Sequence, residues 1–163
     1  MIRPLKERDI DVVIGIVNEN WKTVYAGYIN PELLNNAGCR KREIELKTDF
    51  SNRRLSEYVW EETGQLLALL SIGNTADSDK TGAFEVWRIY VDSKAQGKGI
   101  GGKLLAFAEQ QANERKYSEI IIWAFKENIR ALSFYQRHGY KIDKEEYLGE
   151  PYLTSGIRLI KKL

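Results

Sequence analysis

The chain has 163 residues, 43% of them hydrophobic and 29% charged, which suits a globular protein of one domain with a sizeable core. Its 25 basic and 23 acidic residues leave a formal charge of +2, too balanced for nucleic acid to be the main partner. Apolar runs such as 66–70 and 120–125 are too short to span a bilayer, and the one cysteine, Cys39, excludes an internal disulfide, so a reducing cytoplasm and no membrane are expected.

Ile2 to Leu5 reads as a short first strand. Asp9 or Asp11 can cap a helix through Ile14, Val17 and Trp21, which recur at helical spacing. A second helical stretch is expected around Tyr25 to Ile29, broken by Asn30-Pro31, and Pro31 can start another through Leu33 and Leu34. Residues 40–50 are helix-compatible but highly charged. Residues 55–61 and 66–72 flank the turn Glu62-Thr63-Gly64-Gln65 and read as a hairpin. Residues 73–82 are polar and turn-rich. In the strand that follows, strict alternation puts Glu85, Trp87, Ile89 and Val91 on one face and Phe84, Val86, Arg88 and Tyr90 on the other.

After that strand come Gly97, Gly99, Gly101 and Gly102, then a helix with Ile100, Leu104, Phe107, Ala108 and Ala112 on one stripe. Residues 120–125 suit a central strand buried on both faces. Asn128 can cap a helix through Leu132, Phe134 and Tyr135 that ends at Gly139, and two strands, 140–147 and 152–161, finish the chain. The expected fold is mixed α/β of the α+β kind: one domain, 1–163, with helices on a mostly antiparallel sheet of about six or seven strands. No repeat or low-complexity segment is evident.

A strand, a glycine-rich turn and a helix start together make a phosphate cradle. The first N–H groups of a helix lack intrahelical partners, and glycine lets a ligand approach the backbone closely. Several phosphate motifs overlap at this turn. Gly97, Gly99 and Gly102 satisfy the dinucleotide pattern G-x-G-x-x-G, but Asp92 to Ala95 intervene after the strand and a hairpin precedes it. Gly97, Gly102 and Lys103 satisfy most of a P-loop, yet Leu104 stands where a Mg²⁺-binding Ser or Thr belongs. The third reading is the diphosphate of an acyl carrier.

That third reading is what a family resemblance implies. Gln96-Gly97-Lys98-Gly99-Ile100-Gly101 resembles the Gln/Arg-x-x-Gly-x-Gly/Ala signature of the GNAT N-acetyltransferases, with Ser93 where many relatives carry proline. Asn128, Ala131, Phe134, Tyr135, Gly139 and Tyr140 resemble a second family segment, and Trp21 to Ile29 an N-terminal one. The resemblance implies acetyl-CoA as cosubstrate, no metal, and transfer of an acetyl group to a primary amine on a small molecule or peptide. A non-catalytic CoA-binding module and a nucleotide-binding protein are the alternatives.

The resemblance also assigns roles. The backbone of Gln96, Gly97, Lys98, Gly99, Ile100, Gly101 and Gly102 would hold the diphosphate, with Lys98 and Lys103 adding screened attraction. Ile89 and Val91 would bond the pantetheine arm as a pseudo-strand, and the Ile89 N–H would meet the thioester oxygen. Glu85 is the candidate base, against its reading as a solvated strand carboxylate. Tyr135 is the candidate acid toward the sulfur, against a plain core tyrosine. Asn128 is an N-cap that can also touch the CoA arm. Trp21, Tyr25, Tyr28 and Trp87 are candidate acceptor walls, against simple core packing. His138 is expected at a helix C-terminus, and Cys39 has no evident base nearby. One histidine and one cysteine do not build the usual metal sites. The motifs lack a large acidic patch, which disfavours strongly cationic acceptors. A homodimer through strand edges or the last strands is compatible with the sequence.

Overall fold

The computed structural model describes residues 1–163. Its centre is a seven-stranded sheet in the order β1-β2-β3-β4-β5-β7-β6. The strands are β1 (Ile2–Pro4), β2 (Ser56–Glu62), β3 (Gln65–Asn74), β4 (Phe84–Val91), β5 (Glu119–Phe125), β6 (Lys141–Tyr147) and β7 (Ser155–Lys162). All neighbours are antiparallel except β4 and β5. That parallel pair is joined by α3 (Ile100–Glu114), the crossover that a parallel connection requires.

Each sheet face buries one apolar core. On one side α3 and α4 (Ile129–Arg137) bring Leu104, Leu105, Ala108, Leu132 and Tyr135 against Leu70, Ile72, Phe84 and Val86. On the other, α1 (Ile10–Val24) lays Ile10, Val13, Val17 and Trp21 over Val59 and Leu69, with Leu46 of α2 (Asn36–Asn52). The stripe in α1 has the helical spacing that the sequence shows.

Two segments differ from expectation. Tyr25 to Ile29 is a turn rather than a helix, although the Ile29 N–H bonds the Tyr25 carbonyl at 3.1 Å. The charged region is a full helix, longer than its apolar content suggests. Asn35 caps it by accepting from the Gly38 N–H at 3.0 Å, and few of its side chains reach the core.

The third difference shapes the site. The β3–β4 register shifts between Ser71 and Ile72, so that Ser71 faces Arg88 while Ile72 faces Val86, leaving Trp87 as the extra residue of a bulge. Alternation along β4 therefore breaks. Phe84, Val86, Ile89 and Val91 all pack toward the α3/α4 core. Tyr90 belongs to the α1 core, and Glu85 and Arg88 share its face through their β3 partners Gly73 and Ser71. The expectation that Glu85 shares a face with Ile89 and Val91 is thus overturned.

Candidate active site

The parallel pairing of β4 and β5 runs only from Phe84 to Val86, opposite Ile120 to Ile122. Beyond Val86 the strands part, while β5 stays paired with β7 through Phe125. A free backbone edge opens along the second half of β4. The Asp92 N–H bonds the Leu67 carbonyl at 2.8 Å, toward β3. Backbone groups alternate sides along a strand, so Tyr90 also faces β3, while Ile89 and Val91 face the gap. The Val91 carbonyl is already taken there, by Asn20 Nδ2 at 3.1 Å and Gln96 Nε2 at 3.2 Å. What the edge leaves open is both groups of Ile89 and the N–H of Val91.

The glycine turn follows directly. Asp92 accepts from the Lys94 N–H at 2.8 Å and so starts a short 3₁₀ turn, Ser93–Ala95. Gly97 and Gly99 then adopt φ of +77° and +79°, the left-handed region where a side chain would be strained. Gly99 is the N-cap of α3 and supplies no side-chain cap. The first intrahelical donation near this end is Lys103 N–H to the Gly99 carbonyl at 3.2 Å. The N–H groups of residues 97–102 donate to no protein acceptor. They form a row of donors at the positive end of the helix dipole, suited to an anion.

Gly101 and Gly102 serve packing instead. A Cβ on Gly101 would lie 3.3 Å from Phe134 Cζ, and one on Gly102 would lie 3.1 Å from His138 Nε2. Helix α4 therefore sits tight on the first turn of α3. His138 closes the end of α4, as expected, with Nδ1 2.8 Å from the Phe134 carbonyl.

Between these elements lies a cleft of about 350 Å³. It joins the Ile89–Val91 edge, Gln96, Gly97, Gly99 to Gly102, Asn128 and Tyr135, so most residues expected at a CoA site stand together. Asn128 is the N-cap of α4, its Oδ1 accepting from the Ala131 N–H at 3.2 Å. Burial holds the Tyr135 phenol above its ordinary pKa, so it stays protonated at neutral pH. The cleft fits a diphosphate carrying an extended amide chain: donors at one end, an open strand edge along the middle, apolar walls at the other.

The lysines are elsewhere. Lys98 lines a different groove beside Asp92, and Lys103 lies over the Trp60 ring, 5.2 Å from its centroid. The cations at the cleft are Arg130 and Arg137 of α4. Both are exposed, and neither is ion-paired.

A second cavity of about 420 Å³ opens on the α1/α2 side of β4, with Trp21, Trp87 and Tyr152 among its walls. Tyr90 lines both cavities, so they adjoin through β4, and its hydroxyl accepts from Trp21 Nε1 at 3.1 Å. Tyr25, expected on the acceptor side, lines the first cleft instead. Tyr28 lines neither cavity and packs with Tyr25 and Phe125, its hydroxyl buried without a partner.

Glu85 sits where the split begins, next to the last β4–β5 pair. It is 6% exposed, so it is not the solvated carboxylate of the alternative reading, and its Oε2 is buried without a hydrogen bond. Burial raises its pKa to about 7, opposed by the Thr75 hydroxyl and the Arg54 charge and reinforced by Asp77.

Residues 21–140 match the sequence model of the Acetyltransferase (GNAT) family. The chain belongs to the GNAT family. It is therefore an acetyl-CoA-dependent N-acetyltransferase. A spermidine N(1)-acetyltransferase of Thermoplasma acidophilum is 27% identical over 152 residues, which cover 87% of this chain and 88% of that one. A probable N-acetyltransferase of Mycobacterium tuberculosis is 26% identical over 161 residues, covering 97% and 88%. The crystal structure of the PaiA N-acetyltransferase of T. acidophilum, in complex with coenzyme A, superposes with a TM-score of 0.76 at 23% identity, over 100% of this chain and 98% of that one. That superposition bears on the fold.

Within this GNAT chain, some cleft residues escape the sequence motifs. Asn20 is buried on α1 and ties Ile16, Val91 and Gln96 together, so it fixes the end of β4 against the helix. Its position one residue before Trp21 carries no signal without the tertiary contact. Arg130 and Arg137 could have been found: seven apart on α4, they fall on one helix face with Phe134.

Proposed function

We propose that residues 1–163 act as one catalytic unit that transfers acetyl directly from acetyl-CoA to the primary amine of a small molecule. The observation that carries this reading is the row of unpartnered N–H groups at 97–102 in line with the open Ile89 edge. In this reading residues 97–102 donate to the diphosphate, and Ile89 and Val91 bond the pantetheine amides. The thioester supplies an activated acetyl carbon. The Ile89 N–H donates to its oxygen as negative charge develops there.

The amine enters from the second cavity, across the split at Tyr90. Glu85 faces that side but lines neither cavity, so it takes the amine's proton through an intervening water. The new N–C bond forms as the C–S bond breaks, and the Tyr135 O–H gives its proton to the departing sulfur. Cys39 lies on α2 outside the cleft, so transfer needs no acyl-enzyme. Two relatives are named spermidine or spermine/spermidine N(1)-acetyltransferases, which supports a small amine as acceptor.

The test is thiol release from acetyl-CoA in the presence of an amine library, with calorimetry of acetyl-CoA, ATP and NAD alongside. The expected outcome is amine-dependent release and binding of acetyl-CoA alone. Tight ATP binding with no response to acetyl-CoA would refute the reading. Release without amine dependence would remove the acceptor from it.

Two variants probe the cleft. Tyr135→Phe is expected to lower kcat about tenfold or more while leaving the Kd for CoA within about twofold, because the phenol acts on the leaving sulfur and not on binding. An equal kcat in both proteins would take Tyr135 out of the chemistry. The double variant Arg130→Gln/Arg137→Gln is expected to raise KM for acetyl-CoA about three- to tenfold at low salt, with the difference shrinking as ionic strength rises. Kinetics at two salt concentrations check this.

A further inference from the structure

The second cavity has a charge balance that bears on which amine it takes. Its walls carry Arg42, Arg54 and Arg88 against Glu45 and Asp49. Asp49 is not available to a cationic ligand. Arg54 Nε and Nη2 hold its two oxygens at 2.6 and 3.0 Å, and Arg88 Nη2 bonds one of them at 2.6 Å. That leaves Glu45, an exposed side chain on α2, as the one free acid of the wall.

The basic side is less fully spent. Arg42 has no carboxylate partner: its Nε donates to Asn18 Oδ1 at 2.9 Å, Nη1 to the Leu33 carbonyl and Nη2 to Cys39 Sγ at 3.5 Å, so it offers the cavity an uncompensated charge rather than a free donor, and its guanidinium lies 4.3 Å from the Trp21 ring centroid. The Arg54 guanidinium lies 4.4 Å from the centroid of the Trp87 ring, and its Nη1 donates to no protein acceptor. A guanidinium held against an indole, with one nitrogen free, suits a carboxylate oxygen. Arg88 is spent on Asp49 and on Glu57, whose Oε1 lies 3.4 Å from its Nη1, so a second ammonium in the same place would meet the guanidiniums of Arg54 and Arg42.

We propose that the acceptor is a small amine that also bears a carboxylate, with the carboxylate held at Arg54 under the added field of Arg42. The amine end then points along the cavity to Tyr90 and the split. The volume, about 420 Å³, suits a small molecule. This inference rests on the acetyl-transfer reading above and narrows its substrate class away from linear polyamines.

The test uses acceptor pairs that differ in the carboxylate alone: lysine against cadaverine, and γ-aminobutyrate against propylamine. Thiol release and calorimetry on the CoA-saturated protein are both read. The carboxylate-bearing member of each pair is expected to have about tenfold higher kcat/KM, mainly through KM. Arg54→Gln is expected to bring that ratio close to one. Because Arg54 also pins Asp49, Arg42→Gln is measured as a second variant and is expected to lower the ratio several-fold. Preference for cadaverine over lysine would overturn the proposal, as would a ratio unchanged in both variants or equal binding of both members of each pair. Selective binding of the carboxylates with no thiol release from any acceptor would instead defeat the acetyl-transfer reading and leave the charge inference standing.

Discussion

Gly99→Val is expected to weaken acetyl-CoA binding by about 100-fold or more, since each lost hydrogen bond to a charged group is worth about 1.5–3 kcal/mol. The effect is steric and conformational. Gly99 caps α3 at φ +79°, and a Cβ there meets no protein atom within 4 Å, so the added side chain would project into open space at the donor row. A branched residue in the left-handed region also costs about 1–2 kcal/mol, and the chain relieves it by rotating the amides away from the ligand. The fold itself should survive with a lower Tm, because nothing in the core is displaced. Calorimetry and thermal denaturation, run on the same preparation, separate the two effects. Unchanged CoA affinity would place the phosphates elsewhere.

Glu85→Gln is expected to lower kcat by about 100-fold or more and to flatten the acid limb of the pH profile. In the unmodified enzyme, kcat/KM should rise with pH through about 7 and then level, because burial raises the Glu85 pKa to that value and only the ionised form accepts a proton. Stability moves the other way. A carboxyl whose folded pKa is raised above its usual range holds its proton in the folded state after the unfolded chain has lost it. Folding stability therefore falls as pH rises between about 4.5 and 7. Glutamine resembles the protonated form, so the variant should match the parent in Tm at pH 5 and exceed it at pH 8. A rate loss at all pH values together with a lower Tm at pH 8 would mark Glu85 as structural.

The donor row was legible in the sequence because its cause is local. Glycines at 97, 99, 101 and 102 between a strand and an amphipathic helix specify backbone conformation directly. The roles within that run were not legible. Gly97 and Gly99 take positive φ, while Gly101 and Gly102 make room for Phe134 and His138, which only the packing of α4 reveals. The side of the strand that Glu85 faces is illegible in the sequence for the same kind of reason. A bulge is a property of the β3–β4 register, and strict alternation along β4 alone cannot show it. Lys98 follows this pattern too: its backbone belongs to the turn, but its side chain leaves for another groove. The second cavity draws its arginines from α2, the segment after it and β4, and no motif links residues that far apart.

The most direct measurement is a titration of the ¹⁵N-labelled protein with CoA, following every backbone amide. The unpartnered N–H groups at 97–102 should show the largest downfield proton shifts, with Ile89 and Val91 next. Shifts concentrated on another groove, with residues 97–102 unmoved at saturation, would contradict the assignment of this helix start as the diphosphate site.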